Sequence, residues 1–328
     1  MRFLIFILIC ILLSPLLIVG LIYYTWRIRR ICVRQNISGT ANEPYASRLM
    51  MHLAGTRQDD AAYKIAGHLP SFDKLSKFLL METLGFASNL SGYKGSMFAY
   101  PGERPSTLMG MMSHRTEFFD RSIRDSLTRS DNPAVQFVVL GAGYDTRCYD
   151  LPDGLDIQCF EVDMPPTLNS KISALKSAGV PHDHVTFVET DFNQETWMDA
   201  LLASGFNPNL TTYILWEGVT MYLVEEAIHD TLNLVFSLPK GSTVGVDFFS
   251  ADLVKGNPPY TRMSKAMHKA LKYYSETIQF GVATGETLSE GIEELVRESG
   301  LTLSKFEHIG SEEDKFPPWY FFSHIENL

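Results

Sequence analysis

Cysteine and positive charge are both scarce in this 328-residue sequence. The chain has four cysteines, Cys10, Cys32, Cys148 and Cys159, and their spacing forms neither a disulfide framework nor a zinc-ligand motif. We therefore predict no metal site. The 28 Lys and Arg residues are outnumbered by 38 Asp and Glu, which gives a formal net charge of −10. This balance argues against a nucleic-acid partner, because phosphate binding needs a basic face.

Charge is absent altogether from one long stretch near the start. Residues 3–26 form a run of 24 without a charged side chain, and about 20 apolar residues suffice to span a bilayer. A cleaved signal peptide is the alternative, but its apolar region usually has only about 7–15 residues. The run ends in Tyr23, Tyr24 and Trp26, which favour the membrane interface. The pattern predicts a single, uncleaved transmembrane helix as an N-terminal membrane anchor.

The basic residues around this run predict its orientation. Four arginines follow it within the juxtamembrane segment and linker of residues 27–42, whereas only Arg2 precedes it. The positive-inside rule then places the rest of the chain in the cytoplasm. The sequence predicts a single-pass membrane protein with a cytoplasmic globular part.

The globular part changes character near residue 132. Residues 43–131 read as an N-terminal helical region, with apolar residues at helical spacing over 72–84 and 107–127. Residues 132–328 alternate strand-like runs with amphipathic helices. The runs are QFVVLG, DIQCFEVD, HVTFVETD, TTYILWEG and STVGVDFF. Five such units in series predict an α/β fold with a doubly wound, mostly parallel sheet.

Small and acidic residues stand at the ends of the first four predicted strands. They are Gly141 and Gly143, then Glu161 and Asp163, then Asp191 beside Phe192, and then Glu217. Ligands of such sheets bind at the carboxyl ends of the strands, where the strand order reverses. The set suits an adenosine, because carboxylates accept hydrogen bonds from the ribose and the amine, and a ring stacks on the base.

The glycine loop itself, VVLGAGYDTR, fits a pyrophosphate poorly. The dinucleotide fingerprint needs a third glycine where Thr146 stands. No Walker sequence is present, and Asp145 would face the phosphates. A positively charged adenosyl sulfonium tolerates these acids, so we predict S-adenosyl-L-methionine as the cofactor.

Four motifs together resemble one enzyme family. FVVLGAGYDTRCYDLP, CFEVDMPPTLNSKISAL, TFVETDF and YILWEGVTMYL are similar in order and spacing to the leucine carboxyl methyltransferase superfamily, particularly its bacterial branch of S-adenosylmethionine-dependent O-methyltransferases. The similarity runs from about His114 to Leu223 and continues through GETLSEGIEELVRESGLTLSKFEHIG. It implies a class I methyltransferase (Rossmann-like) sheet with a helical lid insertion near residues 255–280.

The resemblance also implies roles for individual residues. Gly141 and Gly143 would pass under the methionine part of the cofactor, Asp163 would hold the ribose, Asp191 and Phe192 would receive the adenine, Glu217 would line the pocket, and Arg115 would pair with the cofactor's carboxylate. Asp145 would shape the loop.

Each of these residues has a structural alternative. Asp145 and Thr146 suit the cap of the next helix, as do Asp191 and Asn193 after their strand. Glu161 is the alternative to Asp163, which the loop geometry of such folds favours. Without the resemblance, the sequence favours Arg115 as an exposed helical arginine paired with Glu117 or Asp120. The lid insertion reads equally as a solvated amphipathic helix.

No catalytic residue can be assigned from the sequence. Methyl transfer depends chiefly on alignment of the acceptor with the methyl group. A carboxylate acceptor needs no base, whereas a hydroxyl does, and His114, Tyr222 and His268 are candidates.

The predicted function is O-methylation of a small-molecule acceptor, lipids included. One alternative is a methyltransferase acting on the C-terminal leucine carboxylate of a protein. Another, of a different class, is a non-catalytic or NAD-binding Rossmann-type protein. The sequence does not set the oligomeric state.

Overall fold

A computed structural model describes residues 1–101, 110–152, 154–191, 196–274, 276–311 and 317–328. The chain divides into two compact units. The first comprises Met1–Glu117, Gly143–Leu151 and Pro165–Asp183, and the second comprises Phe118–Ala142, Pro152–Met164 and His184–Leu328.

Thirteen α-helices and seven strands are found in the described ranges. The helices are α1 Arg2–Leu12, α2 Ser14–Arg27, α3 Asn42–Ala54, α4 Asp60–Ile65, α5 Lys74–Ser76, α6 Thr83–Ser91, α7 Met111–Thr128, α8 Pro165–Ala178, α9 Trp197–Ala203, α10 Glu225–Phe236, α11 Ala251–Lys255, α12 Thr261–Leu271 and α13 Glu290–Glu298. The strands are β1 Gln136–Leu140, β2 Gln158–Asp163, β3 Val185–Glu189, β4 Thr212–Trp216, β5 Thr243–Phe249, β6 Thr302–Ile309 and β7 Tyr320–Glu326. Two π-helical segments, Ile28–Cys32 and Lys77–Glu82, extend α2 and join α5 to α6.

All seven strands form one sheet in the second unit, in the order β3-β2-β1-β4-β5-β7-β6. The five strands β1 to β5 pair in parallel, and β7 joins β5 and β6 antiparallel to both. Every residue of β1, β4 and β5 is buried, as expected for strands covered on both faces. The predicted doubly wound, mostly parallel α/β sheet is confirmed.

The strand order reverses at β1. From β1 the chain adds β2 and then β3 on one side, and it later adds β4 and β5 on the other. A sheet of this kind opens a crevice at the carboxyl ends of the two strands on either side of the reversal. Here these strands are β1 and β4, which places the predicted glycine loop at the expected position.

The N-terminal region differs from the prediction. The single transmembrane helix predicted over residues 3–26 is wrong, because α1 ends at Leu12 and α2 begins at Ser14. Pro15 lies in the first turn of α2, where it fits a new helix but could not continue the old one, because it lacks an N–H and its ring obstructs the preceding turn.

No single helix among the described residues combines the length and apolar character needed to cross a bilayer. Within the described ranges, α1 and the helical stretch Ser14–Gln35 reach that length and apolar character when they are taken together, but the two are bent by 74°. The structure thus does not support the transmembrane anchor. The cytoplasmic placement, which depended on that anchor, stays a prediction.

Candidate functional site

Four predicted site residues of the second unit stand at one edge of its sheet. Leu140 pairs with Val162, so Gly141 and Asp163 are the next residues on neighbouring strands. Val139 pairs with Leu215, which puts Glu217 level with Gly141 on the other side. Asp163 in turn pairs with Glu189, two residues before Asp191. The sheet therefore brings Gly141, Asp163, Asp191 and Glu217 together along the carboxyl ends of β3, β2, β1 and β4.

Gly141 occupies a position that only glycine fits. Its φ is +69°, and a Cβ there would lie 2.5 Å from Cγ2 of Val219. Its N–H and that of Ala142 both donate to the Val162 carbonyl, at 2.9 and 3.0 Å. The backbone thus leaves β1 through a tight turn in which nothing but hydrogen covers one side of residue 141.

Asp163 is buried, and its Oδ1 accepts a hydrogen bond of 2.6 Å from the N–H of Met164. Glu161 is fully buried. Thr190 at the end of β3 donates its N–H to the Asp163 carbonyl at 3.1 Å. The Thr190 hydroxyl is buried and has no hydrogen-bond partner within the described ranges. Since buried hydroxyls are nearly always paired, this one suits a polar atom of a ligand at the strand ends.

Asp247 fixes the turn that carries Glu217. Its Oδ1 accepts from the N–H of Gly218 at 2.8 Å, and its Oδ2 accepts from the hydroxyl of Tyr320 at 2.6 Å. Sequence reasoning missed this residue. The signal was an acid inside the apolar run TVGVDFF, since a carboxylate in a buried strand needs partners.

Gly143 and the residues after it belong to the first unit. Gly143 has a φ of +45°. Asp145 accepts hydrogen bonds from the N–H of Arg147 at 2.8 Å and from its Nη1 at 2.5 Å, and Arg48 Nη1 lies 3.4 Å from Asp145 Oδ2. Burial alone would raise the pKa of Asp145, but Arg147, Arg48 and Lys171 together hold that pKa below its usual value.

Thr146 and Asp59 add a second link within this cluster. The Thr146 hydroxyl donates to Asp59 Oδ2 at 2.9 Å, and Arg57 Nη1 lies 2.5 Å from the same oxygen. Arg48 Nη2 also donates to the Tyr144 carbonyl at 3.3 Å. Asp145 binds the first N–H of a short 3-10 helix at Arg147–Tyr149. It therefore combines the two roles considered for it, shaping the loop and capping the helix that follows. Arg48 and Asp59 could not be found from the motif, since they lie about 90 residues before it.

Arg115 lies on α7 and is 5% exposed, which excludes the exposed alternative, while its role toward a cofactor stays a prediction. Phe192 lies outside the described residues, and so does Asn193.

The candidate bases are His114, Tyr222 and His268. His268 Nε2 lies 3.3 Å from the Val254 carbonyl, which is a structural contact. His114 and Tyr222 are half-buried. The segment predicted to be a lid, near residues 255–280, contains α12, whose Met263 and Leu271 are buried, and its role as a lid stays a prediction. No group of three metal-binding side chains occurs in the part of the chain that the structure describes.

Comparison with known proteins agrees with the motifs. A family model described as leucine carboxyl methyltransferase matches residues 90–236, a range that includes all of residues 114–223. The "Putative S-adenosyl-L-methionine-dependent methyltransferase YktD" of Bacillus subtilis (strain 168) is 30% identical over 188 residues, which are 55% of this chain and 57% of that protein. The predicted resemblance is confirmed.

A second relative, from Mycolicibacterium smegmatis (strain ATCC 700084 / mc(2)155), is also named as such a methyltransferase and is 34% identical over 144 residues. These cover 43% of this chain and 46% of that protein. The chain spans about half the length of the curated relatives it matches.

Among solved structures, a DUF574 family protein from Streptomyces avermitilis MA-4680 aligns with a TM-score of 0.48 and 13% identity, over 86% of this chain and 97% of that one. Geranyl diphosphate C-methyltransferase from Streptomyces coelicolor A3(2), solved with S-adenosyl-L-homocysteine, aligns with a TM-score of 0.44 and 11% identity, over 66% of this chain and 82% of that one. At these TM-scores neither likeness bears on the function of this chain.

Proposed function

We propose, from the premise that this chain matches the leucine carboxyl methyltransferase family over residues 90–236, that the protein binds S-adenosyl-L-methionine and methylates an oxygen of a small-molecule acceptor. The names of its relatives carry this cofactor. The finer parts of the proposal, the oxygen and the acceptor, rest on the motifs and on the chemistry of the site.

The observation that carries the proposal is the row of residues at the strand ends. Gly141 lets the backbone approach a ligand closely, and Asp163 presents a buried carboxylate on the adjacent strand. The Thr190 hydroxyl, which has no hydrogen-bond partner among the described residues, and the carboxylates of Asp191 and Glu217 continue the row on either side. Acceptors of this kind suit the ribose hydroxyls and the exocyclic amine of an adenosine.

The chemistry required of the protein is modest. When bound, the cofactor supplies an activated methyl group, which the acceptor oxygen receives through a lone pair as the bond from carbon to sulfur breaks and S-adenosylhomocysteine is left. The side chains at the strand ends hold the adenosine, and Asp247 keeps the turn at Glu217 in place. The rate then depends on how well the acceptor is held in line with the methyl group.

A carboxylate is the acceptor that best fits the described residues. It is ionised at neutral pH and loses no proton on methylation, whereas a hydroxyl needs a general base within hydrogen-bonding distance. Of the candidate bases, His268 has its Nε2 3.3 Å from a backbone carbonyl, that of Val254. We therefore place carboxylates, including those of fatty acids, ahead of alcohols.

Isothermal titration calorimetry tests the cofactor. The full-length protein is titrated with S-adenosyl-L-methionine, S-adenosyl-L-homocysteine and NAD, and the same series is repeated with Asp163→Ala. We expect saturable binding of both adenosyl compounds and at least about tenfold weaker binding by the variant, because a buried carboxylate partner is lost. Binding of NAD alone would overturn the proposal in favour of the Rossmann-type alternative.

The acceptor is then sought with radiolabelled cofactor. Small carboxylic acids, alcohols, a lipid extract and a peptide ending in leucine are offered in parallel, and the products are treated with mild alkali. Methyl esters release methanol under these conditions and methyl ethers do not. Label that enters only the peptide would favour the alternative of a protein carboxyl methyltransferase.

A further inference from the structure

Exposed apolar side chains are concentrated at the N-terminus of the first unit. Of the 25 large apolar side chains that are exposed in the described ranges, 14 fall within residues 1–26. They include Leu8, Leu12, Ile18 and Ile22, which are 57–79% exposed. Single exposed apolar residues are ordinary, but a contiguous group marks an interaction surface.

The two helices that carry these side chains are docked on the first unit. A Cβ at Gly20 would lie 2.9 Å from Cβ of Leu79, so the backbone of α2 lies directly on the π-helical segment Lys77–Glu82. Tyr23 and Arg27 both donate to Asp73 Oδ2, at 2.7 and 2.9 Å. The outward side chains of α1 and α2 are therefore a fixed part of the folded unit.

Helix α1 is held on the first unit by aromatic contacts. The ring of Phe6 lies 5.1 Å from that of Tyr93 and 5.5 Å from that of Phe98, between ring centroids. These separations are typical of favourable aromatic pairs.

The exposed surface continues onto the segment beneath. Phe78 lies on the π-helical segment that contacts α2, Phe86 lies on α6, which contacts α1, and both rings are more than half exposed. We call the exposed apolar side chains of residues 3–26, Phe78 and Phe86 the apolar surface. Two separate parts of the sequence build it, whereas a simple N-terminal targeting or spanning segment would involve only the first.

Charge indicates what covers this surface. Residues 1–42 contain five arginines and no acidic residue, although the chain as a whole has a net charge of −10. A second copy of the chain and an anionic membrane would both bring negative charge to these arginines. The membrane also offers hydrocarbon to the apolar side chains. Trp26, 51% exposed, lies next to Arg27, and this combination of tryptophan and arginine is common at the level of lipid headgroups.

The geometry limits how such a surface meets a bilayer. At 1.5 Å per residue, α1 is about 16 Å long and α2 about 21 Å, and the helical extension of α2 to Gln35 adds Arg29, Arg30 and Arg34. The apolar part of each helix is therefore shorter than the roughly 30 Å of hydrocarbon in a bilayer. We propose that the apolar surface inserts into one leaflet of an anionic membrane without crossing it, and that it holds the first unit at the membrane surface. The proposal does not depend on the methyltransferase activity.

Flotation with vesicles tests the partner. The full-length protein is mixed with vesicles of phosphatidylcholine alone and with vesicles containing one fifth phosphatidylserine, and the bound fraction is measured after centrifugation. We expect binding to the anionic vesicles that weakens at high salt, because arginine attraction is screened. Absence of binding to both vesicles, with a dimer detected by light scattering, would overturn the proposal and assign the surface to a second copy.

A double variant tests the shared surface. Phe78→Glu with Phe86→Glu should lower partitioning at least about tenfold, because two rings leave the hydrocarbon and two charges repel anionic lipid. Leu202→Glu is the matched control, since Leu202 is 43% exposed on α9 of the second unit. Circular dichroism checks that each variant is folded. Unchanged partitioning of the folded double variant would sink the idea of a surface built from both segments.

The depth of insertion distinguishes lying in one leaflet from spanning. Trp26 is the exposed tryptophan, and the other three, Trp197, Trp216 and Trp319, are buried. Fluorescence quenching by lipids brominated near the headgroup or near the chain end is compared between the native protein and a Trp26→Phe, Leu12→Trp variant. We expect the shallow label to quench better at both positions. Preferential quenching of position 12 by the deep label would show a spanning segment and overturn the proposal.

Discussion

Asp247, in the interior of β5, holds the backbone N–H of Gly218 at 2.8 Å, in the turn that follows β4. The carboxylate is fully buried, and its second oxygen is taken by Tyr320. A charge in the middle of a buried strand is costly unless it is hydrogen-bonded. The Asp247 carboxylate is hydrogen-bonded to the turn that carries Glu217. It therefore contributes both to the packing of the sheet and to the geometry of the candidate site.

Replacement of Asp247 should therefore affect both stability and binding. Asp247→Ala removes the buried carboxylate that accepts from the Gly218 N–H and the Tyr320 hydroxyl, and we expect the free energy of unfolding in urea to fall by about 2–4 kcal/mol. We also expect affinity for S-adenosyl-L-homocysteine, measured by calorimetry, to fall about tenfold as the turn loosens.

Tyr320→Phe is the control for this experiment. It removes the hydrogen bond to Asp247 Oδ2 but leaves the bond to Gly218. We expect it to cost about 1 kcal/mol of stability with no change in affinity. Wild-type affinity of the folded Asp247→Ala protein would contradict the link between Asp247 and the site.

Gly141 should tolerate no side chain. Gly141→Ala places a Cβ on a backbone with a φ of +69° and 2.5 Å from Val219 Cγ2. The backbone conformation alone costs about 1–2 kcal/mol and the overlap adds about 1–3 kcal/mol. We expect urea denaturation to show this loss and calorimetry to show weaker binding of S-adenosyl-L-homocysteine.

Gly205→Ala separates the two contributions. Gly205 has a φ of +91°, but a Cβ there would meet no atom within 4 Å. The Gly205→Ala variant should lose only the stability that the positive-φ backbone costs an alanine. It should bind S-adenosyl-L-homocysteine as tightly as the wild type. Equal losses in the two variants would show that the overlap with Val219 does not matter.

The sequence predicted what depends on local patterns. The five apolar runs correspond to β1 through β5. Because the first, second and fourth runs end at Gly141, at Asp163 and at Glu217 with Gly218, the places of these residues at the strand ends followed from the pattern. The stretch GETLSEGIEELVRESGLTLSKFEHIG, over which the resemblance continues, contains α13 and β6.

What the sequence could not predict depends on distant pairing. Strand β7 inserts between β5 and β6, and no local pattern specifies that order. Asp247 bonds to Gly218 and Tyr320, 29 and 73 residues away. The single transmembrane helix over residues 3–26 was predicted from length and composition, and neither contains information on the 74° bend between the two helices.

His324 should make stability depend on pH between about 4 and 6.5. Its Nδ1 lies 2.6 Å from Ser122 Oγ inside the second unit, and burial lowers its pKa to about 4, although Glu326 acts in the opposite direction. The unfolded chain takes up a proton below about pH 6.5, while the folded protein does not until about pH 4. The free energy of unfolding should thus fall by up to about 3 kcal/mol as pH decreases through this window.

Comparison with His324→Gln isolates this contribution. Urea unfolding of both proteins at pH 7, 6, 5 and 4.5 should show a difference in stability that narrows as pH falls, because the glutamine has no proton to gain. Should the glutamine variant fail to fold, NMR titration of the His324 ring in the native protein gives its pKa directly. A ring that titrates near 6.5 would contradict the prediction.

The ion pairs of Asp145 should matter far more than those on the surface. Asp145→Asn removes the negative charge that lies 2.5 Å from Arg147 Nη1 and 3.4 Å from Arg48 Nη1, and these two arginines are 4% and 2% exposed. Removal of one member of a buried pair costs about 3–5 kcal/mol, and urea unfolding measures it. Arg121→Met is the matched control, because Arg121 pairs with Glu307 at the surface and such pairs contribute at most about 1 kcal/mol. Because the pKa of Asp145 is held below its usual value, its contribution should persist above about pH 4 and disappear as the pH falls further. Similar losses in Asp145→Asn and Arg121→Met at pH 7 would show that the buried cluster does not stabilise the loop.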